Sequence, residues 1–133
     1  MTRDPKIELL SGVPLFARCS KRELRQIASM VDEVDLPAGR ELTHEGDPGR
    51  EFIVLADGIA DVEQEGERIN TLGPGDYFGE ISLVTGVPRT ATVTTRSPAR
   101  ALVLSAPAFR SLLRRAPRIR TSVLAAAALR LTN

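Results

Sequence analysis

Glu80 and Arg89 stand nine residues apart in the stretch Tyr77-Phe78-Gly79-Glu80-Ile81-Ser82-Leu83-Val84-Thr85-Gly86-Val87-Pro88-Arg89-Thr90-Ala91. A Gly-Glu-Ile-Ser turn at the start of a short helix presents successive backbone N–H groups, an arrangement that suits an anion. Arg89 adds a planar, permanently charged fork that matches phosphate oxygens. Glu80 is an acceptor, and an acceptor beside a phosphate site suits a sugar hydroxyl. Donors for an anion, a guanidinium and a hydroxyl acceptor together describe a sugar-phosphate or nucleotide pocket. The plainer alternative is a surface loop carrying an Arg–Glu ion pair.

Other chemistries have less to stand on. His44, with Glu45 and Asp47, invites a metal site in a cupin-type β-barrel, but such sites need two or more convergent imidazoles and the chain has one. No serine sits in an acyl-transfer motif. The single Cys19 allows no internal disulfide, which fits a reducing compartment, and reads as an inert small residue. The net charge of +1 argues against a nucleic-acid binder. No signal peptide and no membrane-length apolar run appear, so a cytoplasmic location is expected. Sixteen arginines against two lysines is a bias that GC-rich bacterial coding sequences produce.

The 133 residues suit one domain, in three parts. Residues 1–30 read as helical. Ser20-Lys21-Arg22-Glu23 is a capping box, and Leu24, Ile27, Ala28 and Val31 follow at helical spacing. Val13-Pro14-Leu15-Phe16 reads as a turn whose apolar residues must dock. Residues 31–105 read as strands, because nine of the ten glycines lie between Gly39 and Gly86. Phe52-Ile53-Val54-Leu55, Ile59-Ala60-Asp61-Val62 and Thr90 to Thr94 are the β-rich runs. Asp57-Gly58 predicts a tight hairpin between the first two, and Gly73-Pro74-Gly75-Asp76 another turn. Residues 106–133 read as two helices. The first is capped by Ser105 with a stripe of Phe109, Leu112 and Leu113; the second starts at Pro117 and carries Ile119, Val123, Leu124, Ala127 and Leu131. These two helices hold six arginines and no acid. A solvated face explains that charge more simply than docking to an acidic partner.

The stretch from residue 77 to 93 resembles the phosphate-binding cassette of cyclic-nucleotide-binding domains. That pattern is Phe-Gly-Glu-(Leu/Ile)-Ala-Leu, a short spacer, then Arg-(Ala/Ser/Thr)-Ala. Phe78, Gly79, Glu80, Ile81, Leu83, Arg89, Thr90 and Ala91 fit it, with the spacer seen in regulatory subunits of cAMP-dependent kinase. Ser82 stands where alanine is usual, but it is small and keeps its N–H. Looser matches are Gly46-Asp47, Phe52-Ile53-Val54, Gly58 and Gly73 to Phe78, so the resemblance spans nearly the whole chain.

The resemblance implies an α+β fold: an antiparallel, jelly-roll-like β-roll flanked by N-terminal helices and two C-terminal helices. It implies a non-catalytic sensor that binds cAMP or cGMP, uses no cofactor, and signals by moving the C-terminal helices over the base. Arg89 is then expected to hold the cyclic phosphate, with N–H groups near Ser82, Thr90 and Ala91. Glu80 is expected to accept from the ribose 2′-hydroxyl. Thr90 occupies the position where cGMP-selective members carry threonine, yet bacterial members with small polar residues there commonly bind cAMP, so cAMP with modest selectivity is the expectation. The last helix has no aromatic residue, so an aliphatic base cap is expected, from Leu124, Leu129 or Leu131. The effector is expected to be a protein, and a homodimer through the alanine-rich last helix is the alternative use of that surface. Catabolite-activator-type relatives continue this helix into a DNA-binding domain; here the helix runs to Leu131-Thr132-Asn133, a continuation in another protein or in residues beyond these stays open, and direct DNA binding by these residues is not expected. The competing reading is a nucleotide-independent interaction domain on the same fold.

Overall fold

The computed structural model describes residues 4–132, with side chains described as far as residue 130. Helix α1 (Pro5–Ser11) starts where the Asp4 side chain accepts from the Lys6 N–H at 2.9 Å. Helix α2 (Lys21–Met30) starts at the capping box. The Ser20 hydroxyl accepts from the Glu23 N–H at 3.1 Å, and the Glu23 carboxylate accepts from the Ser20 N–H at 2.9 Å. Such a cap stabilises a helix by about 1 kcal/mol. Leu24, Ile27 and Ala28 are buried on its inner face. Between the two helices, Pro14–Phe16 forms a single 3-10 turn that buries Leu15 and Phe16.

Eight strands follow: β1 (Asp32–Leu36), β2 (Glu41–Thr43), β3 (Glu51–Asp57), β4 (Ala60–Gln64), β5 (Glu67–Leu72), β6 (Tyr77–Phe78), β7 (Thr92–Thr95) and β8 (Ala99–Ser105). They make two four-stranded sheets, in the orders β1-β8-β3-β6 and β2-β7-β4-β5, with every pairing antiparallel. Helix α3 (Glu80–Thr85) interrupts the strands, and α4 (Ala106–Arg115) and α5 (Pro117–Thr132) close the chain. The fold is thus an antiparallel β-roll with helices at both ends. No helix among the described residues is long and apolar enough to cross a membrane.

β3 explains how the roll and the helices share one strand. Side chains alternate between the two faces of a strand. Phe52 and Val54 point to a core shared with the helices, while Ile53 and Leu55 join a second core between the sheets. A strand covered on both faces reads as a continuous apolar run, which is what Phe52-Ile53-Val54-Leu55 is. Phe52 is the hinge of the helical core. Its ring stacks on Phe109 of α4 at 4.9 Å, meets Phe16 edge-on at 6.3 Å, and lies 5.8 Å from Tyr77.

Two local expectations need correction. Asp57-Gly58 does not close a hairpin: β3 and β4 lie in different sheets, and the pair carries the chain from one to the other. Gly58 is needed because a Cβ there would lie 2.6 Å from the Pro98 carbonyl, in a backbone with φ of 91°. The local hairpin is β4–β5, closed by Glu65 and Gly66 with φ of 54° and 81°. The strand expected at Thr90 to Thr94 begins instead at Thr92. The Thr90 carbonyl accepts from the Gln64 amide at 2.9 Å and the Ala91 carbonyl from the Thr43 hydroxyl at 3.1 Å, so side chains satisfy those carbonyls.

Candidate functional site

Gly79 sets the geometry of the site. It follows β6 with φ of 105°, and a Cβ there would fall 2.5 Å from the Glu51 carbonyl and 2.8 Å from an Arg89 nitrogen. The sharp turn this glycine allows starts α3 at Glu80 and points the glutamate side chain inward. Gly49 serves a matching purpose on the facing loop: a Cβ would lie 2.3 Å from the Ser82 Cβ.

Arg89 is buried to 9% exposure. Nη1 donates to the Gly79 carbonyl at 3.1 Å and Nη2 to the Glu51 carbonyl at 2.5 Å. Its backbone is fixed by the loop between β2 and β3: its N–H donates to the Asp47 carbonyl at 2.8 Å, and its carbonyl accepts from the Gly46 N–H at 2.9 Å. Burial pulls its pKa below the ordinary arginine value, while the Glu51 and Glu80 charges act the other way.

Glu80 is fully buried. Oε1 accepts from Nη1 of Arg130 at 2.6 Å, and Oε2 is buried without a hydrogen-bond partner among the described residues. Burial pushes this carboxyl above the ordinary glutamate value, and the Arg130 charge is the largest influence holding it down. Arg130 also donates from Nη2 to the Tyr77 carbonyl at 2.9 Å, and its guanidinium lies 4.6 Å from the centroid of the Tyr77 ring.

These side chains face one cavity of about 630 Å³. Phe78, Gly79, Glu80, Ile81, Ser82, Arg89, Thr90 and Ala91 all line it, with Arg130 on the α5 side and Val62, Ile69, Asn70 and Leu72 from the β4–β5 hairpin. Leu124 does not line it. That residue is 47% exposed, and Leu129 is also exposed; the Leu131 side chain lies outside the described residues. Helical phase is the reason. Ile119, Val123 and Ala127 are buried at intervals of four, and each residue of a helix turns about 100° from the last. Leu124 and Leu129 therefore rotate off the inner face, whereas Arg130 returns to it.

Arg130 has no counterpart among the residues picked out from the sequence, where it merged into the run of C-terminal cations. Its signal was its place on the inner stripe, three residues after Ala127. His44 does not line this cavity; it is exposed and paired with Glu41 at 3.1 Å.

The eight-stranded antiparallel roll thus brings a buried Arg and a buried Glu to one cavity. Residues 33–116 match the family described as Cyclic nucleotide-binding domain, and the chain belongs to that family. The cAMP-dependent protein kinase regulatory subunit of Emericella nidulans is 36% identical over 97 residues, covering 71% of this chain and 24% of that protein. The Thermus thermophilus Catabolite Activator Protein superposes with a TM-score of 0.81 at 27% identity, covering 90% of this chain and 58% of that one. A cAMP-bound PfPKA-R superposes with a TM-score of 0.77 at 26% identity, covering 88% and 44%. The chain thus spans about a quarter of the kinase subunit and roughly half of each structure. The family match ends at residue 116, before α5 and Arg130.

Proposed function

We propose that this chain binds a 3′,5′-cyclic nucleotide in the cavity and acts as a non-catalytic sensor, with cAMP preferred and cGMP accepted with modest discrimination. One observation carries the reading: a buried guanidinium and a buried carboxylate with a free oxygen converge on the same cavity. A cyclic phosphodiester supplies an anion and, beside it, a ribose hydroxyl, which are the two partners these groups lack. In this reading Arg89 holds the phosphate, helped by N–H groups near Ser82, Thr90 and Ala91. Glu80 Oε2 accepts from the 2′-hydroxyl. Phe78, Gly79 and Ile81 shape the wall, and the Thr90 hydroxyl is within the lining where it can meet a guanine amino group.

Two likenesses favour cAMP: the kinase relative is by name a regulatory subunit of a cAMP-dependent enzyme, and PfPKA-R was captured with cAMP. The output in this reading is α5, which packs on α3 and on the 3-10 turn, and the receiver is a protein effector. A ligand moves such an equilibrium only through unequal affinity for its states. Calorimetric titration with cAMP and cGMP tests the binding, and hydrogen exchange over residues 117–131 tests the response. Saturable binding of at least one ligand, with added protection in both cassette and α5, is the expected result. Absence of heat and of protection with both ligands refutes the reading.

A further inference from the structure

Charge divides along the fold. Residues 31–105, which form the roll, hold fourteen acidic and six basic residues, a net of −8. Residues 1–30 and 106–133 together hold twelve basic and three acidic residues, a net of +9. On the roll, arginines meet acids: Arg96 pairs with Asp61, Arg68 lies 3.9 Å from the same carboxylate, and Arg100 reaches Asp35 at 3.0 Å. At the corner between α4 and α5 they do not. Arg114, Arg115, Arg118 and Arg120 are all exposed there, and none forms an ion pair among the described residues. Helix α5 packs on the 3-10 turn, and Arg118 lies near enough to Cys19 for its charge to act on the thiol. This sets the exposed cations Arg18, Lys21 and Arg22 beside the corner. Glu23, the acid in that stretch, is engaged by the Ser20 N–H at 2.9 Å.

Helix stability does not account for these cations. Positive charge is favourable near a helix C-terminus and unfavourable near its N-terminus. Arg114 and Arg115 end α4, but Arg118 and Arg120 open α5, whose first turn has no acid, and Lys21 and Arg22 open α2. Arg110 and Arg114, four apart on α4, repel each other. We propose that this corner, with the adjoining start of α2, docks a carboxylate-rich segment of a partner protein. Its cations are arginines, whose planar forks bind carboxylates through paired hydrogen bonds. Residues 106–120 expose no large apolar side chain that could enter a membrane. A long polyanion such as nucleic acid would run on past the corner toward the roll, where the charge is of its own sign. A compact acidic segment meets neither obstacle. The proposal rests on the reading of the chain as a sensor with a protein receiver, and it gives that receiver a chemistry.

The test is fluorescence anisotropy with a fluorescein-labelled peptide of glutamates, on the free protein without nucleotide. Wild type is compared with Arg114→Glu/Arg118→Glu and with Arg40→Glu/Arg68→Glu, which lowers the net charge equally but on the roll. Saturable binding is expected in about 50 mM salt and its loss near about 1 M, where the screening length falls to about 3 Å. The corner variant is expected to bind at least about tenfold more weakly, because each reversal turns an attraction into a repulsion of similar size. The roll variant should stay within about twofold of wild type, its changes lying beyond the screened range. Since Arg118→Glu puts an acid in the first turn of α5, the corner variant should melt no lower than wild type; if it does, Arg114→Gln/Arg118→Gln carries the comparison. No saturable binding, or equal weakening in both variants, overturns the proposal. So does tighter binding to a DNA duplex or to phosphatidylcholine vesicles with about 30% phosphatidylserine, if the corner variant loses it. Salt-sensitive self-association that the corner variant abolishes overturns it as well, because the face then belongs to the acidic roll of a second copy. Wild type that binds the peptide but neither cAMP nor cGMP in separate calorimetry overturns the sensor reading and leaves the docking face standing.

Discussion

Arg89→Ala is the most direct perturbation of the site, and the structure sets the size of its effect on two separate readouts. On the ligand side, the guanidinium is buried and its direction is fixed by carbonyls at 3.1 and 2.5 Å. Screening by water is weak there, and little order remains to be lost on binding. Truncating one partner of a buried, hydrogen-bonded charge pair costs about 2–5 kcal/mol, or roughly 30-fold to a few thousandfold in Kd. On the folding side, the Glu51 carbonyl loses its Arg89 donor, and the Gly79 carbonyl keeps only a long bond from the Leu83 N–H at 3.4 Å. A buried carbonyl left unsatisfied costs about 1–3 kcal/mol, and water entering the widened cavity offsets part of that. The expected outcome is a protein that still folds, with Tm lower by several degrees, and that binds cAMP at least about 30-fold more weakly. Arg89→Lys should recover part of the affinity, because it restores the charge but not the planar fork. Calorimetry and thermal melting on the same preparations separate the two effects. A folded Arg89→Ala protein that binds cAMP within about threefold of wild type refutes the assignment of Arg89 to the phosphate.

Glu80 predicts a pH effect on stability. Its carboxyl is raised by burial, so in the weakly acidic window the folded state holds this proton more tightly than the unfolded chain does. Its contribution to stability therefore falls as pH rises through that window, and Glu80→Gln should remove this slope from denaturant midpoints; equal slopes in both proteins would show that Glu80 is not the group responsible. Thr90→Ala should lower the cGMP/cAMP affinity ratio by about two- to tenfold, the worth of one neutral hydrogen bond. A ratio unchanged in paired titrations removes Thr90 from base recognition. Gly79→Ala should destabilise by more than about 1–2 kcal/mol, since the left-handed backbone alone costs that much and the added methyl meets the Glu51 carbonyl. An unshifted thermal melt would contradict this.

How much of this was legible depended on whether the signal was local. The α2 cap, the stripe of Leu24, Ile27 and Ala28, and the β-rich run of β3 each follow from near neighbours, and each was readable; that β3 is covered on both faces was not. The eight cassette residues share one wall because they lie on one short segment, so their spacing already carried the geometry. Strand partners were not readable. Asp57-Gly58 has the chemistry of a hairpin turn, but turn chemistry does not say which strand comes alongside, and β8 rather than β4 pairs with β3. The start of β7 was misplaced for a related reason: Gln64 and Thr43, distant in sequence, supply the donors that hold Thr90 and Ala91 out of the ladder.

Arg130 shows the limit most clearly. Among six C-terminal arginines its type carried no information, and composition favoured a solvated cation. Its phase did carry information, since position 130 falls on the same side of α5 as Ile119, Val123 and Ala127, and there Arg130, although 38% exposed, reaches Glu80. The anion it finds is half satisfied: Oε1 of Glu80 is held, and Oε2 has no hydrogen-bond partner among the described residues. Under the proposed function, a ligand hydroxyl at Oε2 and the guanidinium at Oε1 would occupy different oxygens of one carboxylate and would not compete. Coupling of this kind is reciprocal: whatever factor the docked α5 adds to ligand affinity, the ligand returns to the docking of α5. Under the proposed function the helix is then part of the binding site, since Arg130 lines the same cavity as the cassette, rather than a neighbour that reports on it.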